Sequence, residues 1–439
     1  MSNALRKKIA SKEAVIGVIG LGYIGLSLLD VFGKAGFSLV GYDKSKEKVQ
    51  MLKKKDSYIN YLSLDFLFNL LSKKKFTPSA DSDILKKADV LVISVPTSLD
   101  KHHVPELSNL RAAFQTVISY LKKDQLVVVQ SSTYPGTTED ELLPLLKKSQ
   151  LKVGKDFYLA HVPEIADIGN PSYNFIDVPR MVSGITPTCL KMAELLYESI
   201  GATVVPCSCP KVAESAKLLQ NTYRLVNISL INEMKIMLDR MGIDIWEVVE
   251  AASSKPFGFT PFYPGPGIGG DCIPIDPFYL VWRAKASGGP TTLIEQSGNI
   301  DDGMAIYVVN KVIQGLNTRE KSIRGAKTLV LGVGYKKDVN DIRQSPGLRV
   351  LSILKSMLAD VHYHDPFVPE IASLPEFPEL HLKSIHFKYD QLPQYDAVII
   401  VTDHSFYDWD RIVDSSQLII DTRNVTAKIP GAKGKVVKA

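Results

Sequence analysis

The stretch AVIGVIGLGYIGLSLLDVFGKAGFSLVGYD, residues 14–43, decides the reading of this chain. It opens on an apolar strand, Ala14 to Ile19, which runs into the glycine turn Gly20-Leu21-Gly22-Tyr23-Ile24-Gly25. A helix with apolar positions at Leu28, Leu29 and Phe32 follows and stops near Gly36, and a second strand, Ser38 to Tyr42, ends at Asp43. Strand, glycine turn, helix and strand within about 30 residues make one βαβ unit. In that setting GxGxxG has a physical reason. Glycines let backbone N–H groups and the helix N-terminus approach a pyrophosphate, and an acid at the end of the second strand accepts from ribose hydroxyls. Asp43, 18 residues past Gly25, is that acid, and its charge would repel a 2′-phosphate. The spacing therefore points to NAD rather than NADP. Without a ligand, the same glycines would be a tight strand–helix turn.

Further apolar strands follow at Val90–Val95 in DVLVISVPT and Leu126–Gln130 in LVVVQSST. Strands apolar on both faces and separated by helices belong to a parallel sheet covered on both sides. The pattern returns after residue 325. KTLVL (327–331) precedes GVGYKK, the amphipathic helix SPGLRVLSILKSMLA, a strand Val361–His364 ending at Asp365, and then DAVIIVTDH (396–404) and QLIIDTRN (417–424). The fold class is α/β: two Rossmann-like, doubly wound parallel-sheet domains joined by a long central helix and helical segment. That helix is read from residues 211–241, which contain neither Gly nor Pro and repeat apolar positions at helical spacing. At about 1.5 Å per residue it is roughly 45 Å long. It would connect the halves and offer apolar residues to a second subunit; two shorter helices are the alternative.

At 439 residues the chain is long enough for about two to three domains. Its 45% hydrophobic and 23% charged residues exclude extended disorder and a disulfide-stapled miniprotein. There are 52 Lys and Arg against 47 Asp and Glu, and the basic runs (Arg6-Lys7-Lys8, Lys53-Lys54-Lys55, Lys73-Lys74-Lys75) are short. They read as solvated helix faces, so no nucleic-acid partner is expected. No apolar run approaches the ~18–20 residues of a membrane span, and no h-region precedes the first strand. A cytoplasmic enzyme is expected, with no membrane partner. The four cysteines, Cys189, Cys207, Cys209 and Cys272, suit a reducing compartment and make no metal-binding set.

The second turn, Gly332-Val333-Gly334-Tyr335-Lys336-Lys337, lacks the third glycine and carries two lysines. It suits a phosphate-bearing ligand that is not a dinucleotide, a sugar nucleotide for instance, or else a degenerate repeat with solvated lysines. The most informative stretch is Gly265-Pro266-Gly267-Ile268-Gly269-Gly270-Asp271-Cys272. Glycines bring backbone close to a ligand, and a cysteine at the end of such a loop is a candidate nucleophile rather than a small packing residue. Asp276 follows four residues on. Lys217 and Asn221, spaced i, i+4, share a helix face. A cation and an amide there could stabilise a developing oxyanion, although such a pair also serves as ordinary surface.

With GLGYIGLSLL, DVLVISVPT, QSSTYPGTTEDE, VPEIADIGNP, AESAKLLQNTYR, PFGFTPFYPGPGIGGDCIPIDPFYL and GVGYKKDVNDIRQSPGLRVL, the chain resembles the UDP-glucose/GDP-mannose dehydrogenase family over essentially its whole length. The Pro/Gly/Phe segment before Cys272 looks most like the branch acting on UDP-N-acetylglucosamine and related UDP-N-acetylhexosamines. The resemblance implies two successive NAD-dependent oxidations at C6 of a UDP-sugar, alcohol to aldehyde to carboxylate. UDP-glucose, UDP-N-acetylmannosamine, UDP-N-acetylgalactosamine and GDP-mannose are the alternative substrates the resemblance leaves open for this chain. Cys272 would trap the aldehyde as a thiohemiacetal that becomes a thioester. By the same resemblance Lys217 and Asn221 are the oxyanion pair, Asp276 acts with water as base, Glu164 is an acid/base, and Thr133 orders the water. Gly20, Gly22, Tyr23, Ile24, Gly25, Asp43, Thr97, Thr133 and Arg343 match cofactor positions. Glu164, Lys217, Asn221, Lys255, Phe262, Tyr263, Gly269, Lys336 and Arg423 match substrate positions. Residues 1–205 would be the NAD-binding domain, 206–310 a central helical dimerisation segment with the cysteine loop, and 311–439 the UDP-sugar-binding domain. A homodimer or larger homo-oligomer is implied.

Two departures stand out. Ile165 replaces the arginine that usually follows the acid in this branch. Asp271 stands before the cysteine, where His or Ser is usual, and an acid beside Cys272 should oppose thiolate formation. Two other functions compete with this one. A one-step hydroxyacid-type dehydrogenase would need neither Cys272 nor a second α/β half, and a non-catalytic NAD-binding protein would not keep Lys217, Asn221, Cys272 and Asp276 together.

Overall fold

The computed structural model describes residues 3–59, 62–100, 102–165, 173, 175–372 and 374–439. Most of the IADIGNP part of the VPEIADIGNP segment thus lies outside the described residues. The chain folds as two units, one of residues 1–220 with 278–289 and one of residues 221–277 with 290–439.

The first unit is built on eight strands: β1 (Val15–Ile19), β2 (Ser38–Tyr42), β3 (Phe76–Ser79), β4 (Val90–Ile93), β5 (Leu126–Val129), β6 (Tyr158–His161), β7 (Arg180–Gly184) and β8 (Val204–Pro206). Their order is β8-β7-β6-β5-β4-β1-β2-β3. The strands read as wholly apolar take the middle: β4 and β5 are buried at every position. Strands β1 to β6 run parallel, with Ile19 opposite both Tyr42 and Ile93. The parallel expectation stops at β7, which pairs antiparallel to β6 and carries β8 parallel to itself. Antiparallel neighbours need no crossover helix, and none is described between His161 and Arg180. Helix α1 (Tyr23–Lys34) buries Leu26, Leu28, Leu29 and Phe32 against the sheet. Helix α2 (Pro187–Glu198) starts on Thr186, whose hydroxyl accepts from the Cys189 N–H, with Pro187 in the first turn where its missing N–H costs nothing.

Residues 210–240 form one continuous helix, α3 (Pro210–Arg240) of 31 residues, which starts in the first unit and continues in the second. In the second unit five strands, β9 (Lys327–Leu331), β10 (Asp360–His364), β11 (Ala397–Ile400), β12 (Ile419–Asp421) and β13 (Val436–Lys438), run parallel in the order β10-β9-β11-β12-β13. Strand order thus reverses beside β1 in the first sheet and beside β9 in the second. Open α/β sheets bind ligands at the carboxyl ends of the strands flanking such a reversal. Among the described residues no helix is long and apolar enough to cross a membrane.

Candidate active site

At the carboxyl end of β1 the three glycines of the first turn do three different things. Gly20 has φ +94°, and a Cβ there would fall 2.2 Å from the carbonyl oxygen of Ser94. A Cβ on Gly25 would fall 1.9 Å from the carbonyl oxygen of Gly20, so this glycine lets α1 press onto the strand end. Gly22 is the N-cap residue of α1, and a Cβ there would meet nothing within 4 Å. No protein contact requires a glycine at 22, and the space in front of the helix N-terminus is open to a ligand. Ile19, Gly20, Tyr42, Asp43, Val95 and Pro96 line an open cleft of about 230 Å³, and Thr97 is the next residue along the chain. The Asp43 carboxylate accepts from the N–H of Leu21 (2.8 Å) and of Ser45 (2.9 Å). A carboxylate has about four acceptor positions, so about two remain for ribose hydroxyls. The residues present therefore fit NAD.

Elsewhere in the first unit two buried polar clusters hold the remaining predicted residues. Lys217 is 4% exposed and donates to the Ser132 hydroxyl. Three residues earlier on α3, Glu214 gathers the loop after β5. It accepts from the N–H of Gly136 (2.6 Å) and Thr138 (3.0 Å) and from the hydroxyls of Thr138 (2.7 Å) and Thr133 (3.3 Å). Burial pushes the Glu214 carboxyl up against the pull of these donors. Burial, with Lys217 adding to it, pushes the neighbouring His161 down to about 3, so this imidazole is neutral. In the second cluster Glu164 accepts from Gln130 Nε2 (2.6 Å) and from the fully buried Arg180 (2.8 Å). Arg180 also donates to the Phe175 carbonyl and lies over that ring at 3.8 Å, and Tyr197 donates to Gln130 (2.7 Å).

The second unit carries the cysteine loop. Its backbone is tied down residue by residue. Gly265 N–H donates to Asn232 (3.0 Å), Ile268 N–H to the buried Asp301 (2.8 Å), and Gly270 N–H to the Arg343 carbonyl (2.9 Å). A Cβ on Gly269 would fall 2.5 Å from Tyr335 Cβ, which is why the chain here has no side chain. Cys272 is exposed at the end of this loop, and no disulfide joins any of the four cysteines. Its carbonyl accepts from the Asp276 N–H (2.8 Å), which starts the helix α4 (Asp276–Ala286). The buried Asp276 accepts from the Asn221 amide at 2.6 Å. Cys272, Asp276 and Asn221 thus share one arrangement. Asp271 is ion-paired with Arg343. Upstream of the loop, Phe262 meets Tyr223 edge to face, Tyr263 stacks on Trp246, and Lys255 lies over Phe257.

At the carboxyl end of β9, Gly332 has φ +79°, and a Cβ would fall 2.5 Å from the Thr402 carbonyl oxygen, as at Gly20. A third close glycine does exist. Gly347, in helix α5 (Pro346–Ser356), would bring a Cβ within 3.0 Å of Val333 Cα and 3.2 Å of the Gly332 carbonyl oxygen. Residues 335–345, with Lys336, Lys337 and Arg343, lie between turn and helix. Arg423 donates from Nε to the Val401 carbonyl (2.8 Å), and a Cβ on Gly265 would fall 3.0 Å from its guanidinium. Arg423 therefore joins the β11 end to the start of the cysteine loop.

Family models match the chain in three consecutive parts. Residues 14–201 match the NAD binding domain of the UDP-glucose/GDP-mannose dehydrogenase family, 211–303 its central domain and 329–428 its UDP binding domain. The chain belongs to the UDP-glucose/GDP-mannose dehydrogenase family. It is 36% identical to the protein CapL of Staphylococcus aureus, over 80% of this chain and 81% of that protein. It is 33% identical to a UDP-N-acetyl-D-glucosamine 6-dehydrogenase of Pseudomonas aeruginosa, over 83% of this chain and 86% of that protein. The solved structure of a UDP-D-ManNAc dehydrogenase from Pyrococcus horikoshii matches with a TM-score of 0.86 at 30% identity, covering 96% of this chain and 99% of that one.

For this UDP-glucose/GDP-mannose dehydrogenase family member, sequence reasoning passed over four residues. Arg180 stands where a strand begins and reads as an edge charge, yet it is fully buried and pairs with Glu164. The arginine missing at 165 is thus not the only one the acid could have. Glu214 reads as one more helix polar residue. Asp301 lies inside a helix 33 residues from the backbone N–H it holds, and only its burial distinguishes it. Gly347 is readable in hindsight, since SPG at a helix start places a glycine in the first turn.

Proposed function

We propose that this protein oxidises C6 of a UDP-N-acetylhexosamine, UDP-N-acetylglucosamine first, from alcohol through aldehyde to carboxylate. Residues 1–205 take the cofactor, 206–310 form a dimerising segment with the cysteine loop, and 311–439 take the UDP-sugar, in a cytoplasmic homodimer. The observation that carries this reading is the Asn221–Asp276–Cys272 arrangement behind a glycine loop that is anchored to the UDP-binding half. A dehydrogenase that only made an aldehyde or ketone would have no use for an exposed thiol there.

NAD supplies the hydride acceptor for both oxidations when bound, held by Gly20, Gly22, Tyr23, Ile24, Gly25, Asp43, Thr97, Thr133 and Arg343. Lys217 and Asn221 stabilise negative charge on the C6 oxygen as the alcohol loses its proton, Asp276 accepting that proton through water. In the second stage the Cys272 thiolate adds to the aldehyde carbon. The tetrahedral alkoxide rests on the same lysine and amide. Loss of hydride from that carbon leaves a thioester. Water, ordered by Thr133 and activated by Asp276 and Glu164, attacks it and releases the carboxylate with the thiolate restored. Lys336 and Arg423 take the diphosphate, and Lys255, Phe262, Tyr263 and Gly269 enclose the sugar nucleotide.

The names of the relatives favour two epimeric substrates, UDP-N-acetylglucosamine and UDP-N-acetylmannosamine. The deciding experiment gives the purified chain each of these, UDP-N-acetylgalactosamine, UDP-glucose and GDP-mannose in turn, and follows NADH with product mass. We expect two NADH per uronate with UDP-N-acetylglucosamine fastest, and no uronate from Cys272→Ala despite retained NAD binding. Faster turnover of UDP-glucose or GDP-mannose overturns the substrate. Uronate from Cys272→Ala at near wild-type rate overturns the thioester route.

A further inference from the structure

The acid at position 271 sits one residue from the thiol, about 3.8 Å along the backbone. On charge alone it should hinder thiolate formation. The residue that answers it is 72 positions away. Arg343 clasps two consecutive residues of the cysteine loop: its carbonyl accepts from Gly270 N–H (2.9 Å) and its guanidinium pairs with the Asp271 carboxylate. Arg343 is itself aimed by Asp341, which takes its Nε at 2.9 Å and 3.0 Å. Asp341 in turn accepts through its carbonyl from Tyr335 N–H (2.9 Å), and the Tyr335 ring closes over Gly270. On the far side of the thiol, Ile273 is buried and the Cys272 carbonyl is bonded to Asp276 N–H. The loop is therefore fixed immediately before and after Cys272 by groups of the same unit.

We propose that Asp271 and Arg343 are a charge couple that sets the ionisation of the Cys272 thiol, with Arg343 a positioning residue for the nucleophile as well as a cofactor contact. This rests on Cys272 being the nucleophile. The charged groups facing Asp271 include Arg343, Asp341, Asp276 and Glu376. Burial raises the Asp271 carboxyl and Arg343 pulls it back. With the guanidinium removed, the carboxylate next to the thiol loses the counter-charge it is paired with. With Asp271 neutralised, the guanidinium is released to favour the thiolate. The pair is half exposed, with side chains 52% and 38% accessible, and such a pair contributes little to folding.

The test measures alkylation of Cys272 by iodoacetamide against pH, read as the mass of the Cys272 peptide from the intact chain. The proteins are wild type, Arg343→Gln, Arg343→Lys, Asp271→Asn and Asp271→Asn/Arg343→Gln. Arg343→Gln should move the midpoint up and Asp271→Asn down, each by about half a pH unit or more, about threefold in rate at fixed pH below the midpoint. Arg343→Lys, which keeps the charge, should stay near wild type, and the double variant should return towards it. An unmoved midpoint in Arg343→Gln, or shifts of the same sign in Arg343→Gln and Asp271→Asn, overturns the couple. If Arg343→Gln does not fold, Asp271→Asn and Arg343→Lys decide it. The alkylation does not depend on turnover, so uronate production by Cys272→Ala separately reports failure of the nucleophile itself.

Discussion

Two alanine substitutions in the first glycine turn should have the same effect on NAD, but only one of them should disturb the fold. At Gly25 the added methyl group would sit 1.9 Å from the Gly20 carbonyl oxygen, against an ordinary contact of 3.4 Å. The helix must therefore back off by about 1.5 Å, and forced overpacking of this kind costs about 1–3 kcal/mol. For a unit of this size that is about 3 °C in Tm per kcal/mol, so about 3–9 °C. At Gly22 the added methyl group meets no protein atom within 4 Å, so the melting curve should not move. It would instead occupy the space in front of the α1 N-terminus. Losing the approach of even one N–H group to a charged phosphate removes about 1.5–3 kcal/mol, about tenfold or more in affinity. The assay is NADH fluorescence titration beside thermal melting, for wild type, Gly22→Ala and Gly25→Ala. Both variants should bind NADH at least tenfold more weakly, and only Gly25→Ala should melt early. Wild-type NADH affinity in Gly22→Ala would refute the placement of the pyrophosphate. A wild-type melting curve in Gly25→Ala would refute the packing argument.

Asp43→Ala should weaken NAD binding by about 1–3 kcal/mol and narrow the preference over NADP, because the ribose acceptor and the turn it braces are lost together; equal use of both cofactors by the wild type would contradict this. Asp301 gives a pH prediction. Burial raises its carboxyl to about 7, so the folded chain keeps a proton that the unfolded chain releases near 3.8. Stability should therefore fall as pH rises from about 4 to about 7 and level off above. At about 1.4 kcal/mol per pH unit, that is at most about 4 kcal/mol. Asp301→Asn keeps an acceptor for Ile268 N–H without the charge, so its Tm should gain on wild type between pH 5 and pH 8; a constant difference across that range would show that Asp301 does not titrate there.

What the sequence disclosed follows from the range of the forces involved. β1, β4 and β5 are legible because a strand buried on both faces is apolar at every position, and that is a local property. The single helix α3 is legible because nothing in 211–240 interrupts it. The glycine turn Gly20–Gly25 is legible because a tight strand–helix turn is built from neighbours in sequence. The pairings that hold the candidate site residues are not local. Glu164 meets Arg180 across the antiparallel β6–β7 edge, and that edge is itself absent from any periodicity. Glu214 reaches 76 residues back to Thr138, and Arg343 reaches 72 back to Asp271. In each case one partner reads as a surface charge, and only the folded chain shows that the two are opposite one another.

The two α/β halves begin from the same plan and part at one carboxylate. Asp43 and Asp365 occupy the same place, one residue beyond the second strand, each opposite a glycine turn. Asp43 accepts two backbone N–H groups, so about half of its acceptor capacity faces the cleft. Asp365 is 2% exposed and accepts from Val333, Gly334, Phe367 and Val368 N–H, while His404 Nε2 sits 3.0 Å away. Burial alone would raise its carboxyl; His404 and the backbone donors outweigh that and hold it low. Five donors fill the roughly four positions a carboxylate offers, so none is left for a ribose. The acid that keeps acceptor capacity towards the cleft in the first half is a clamp for the turn in the second. Recognition there must come from elsewhere, and the 335–345 insertion between turn and helix is what the second copy has added. It brings Arg343 to the cysteine loop. A nucleotide held by that insertion would lie against the segment that aims the thiol, which gives the duplicated half a part in the chemistry as well as in binding.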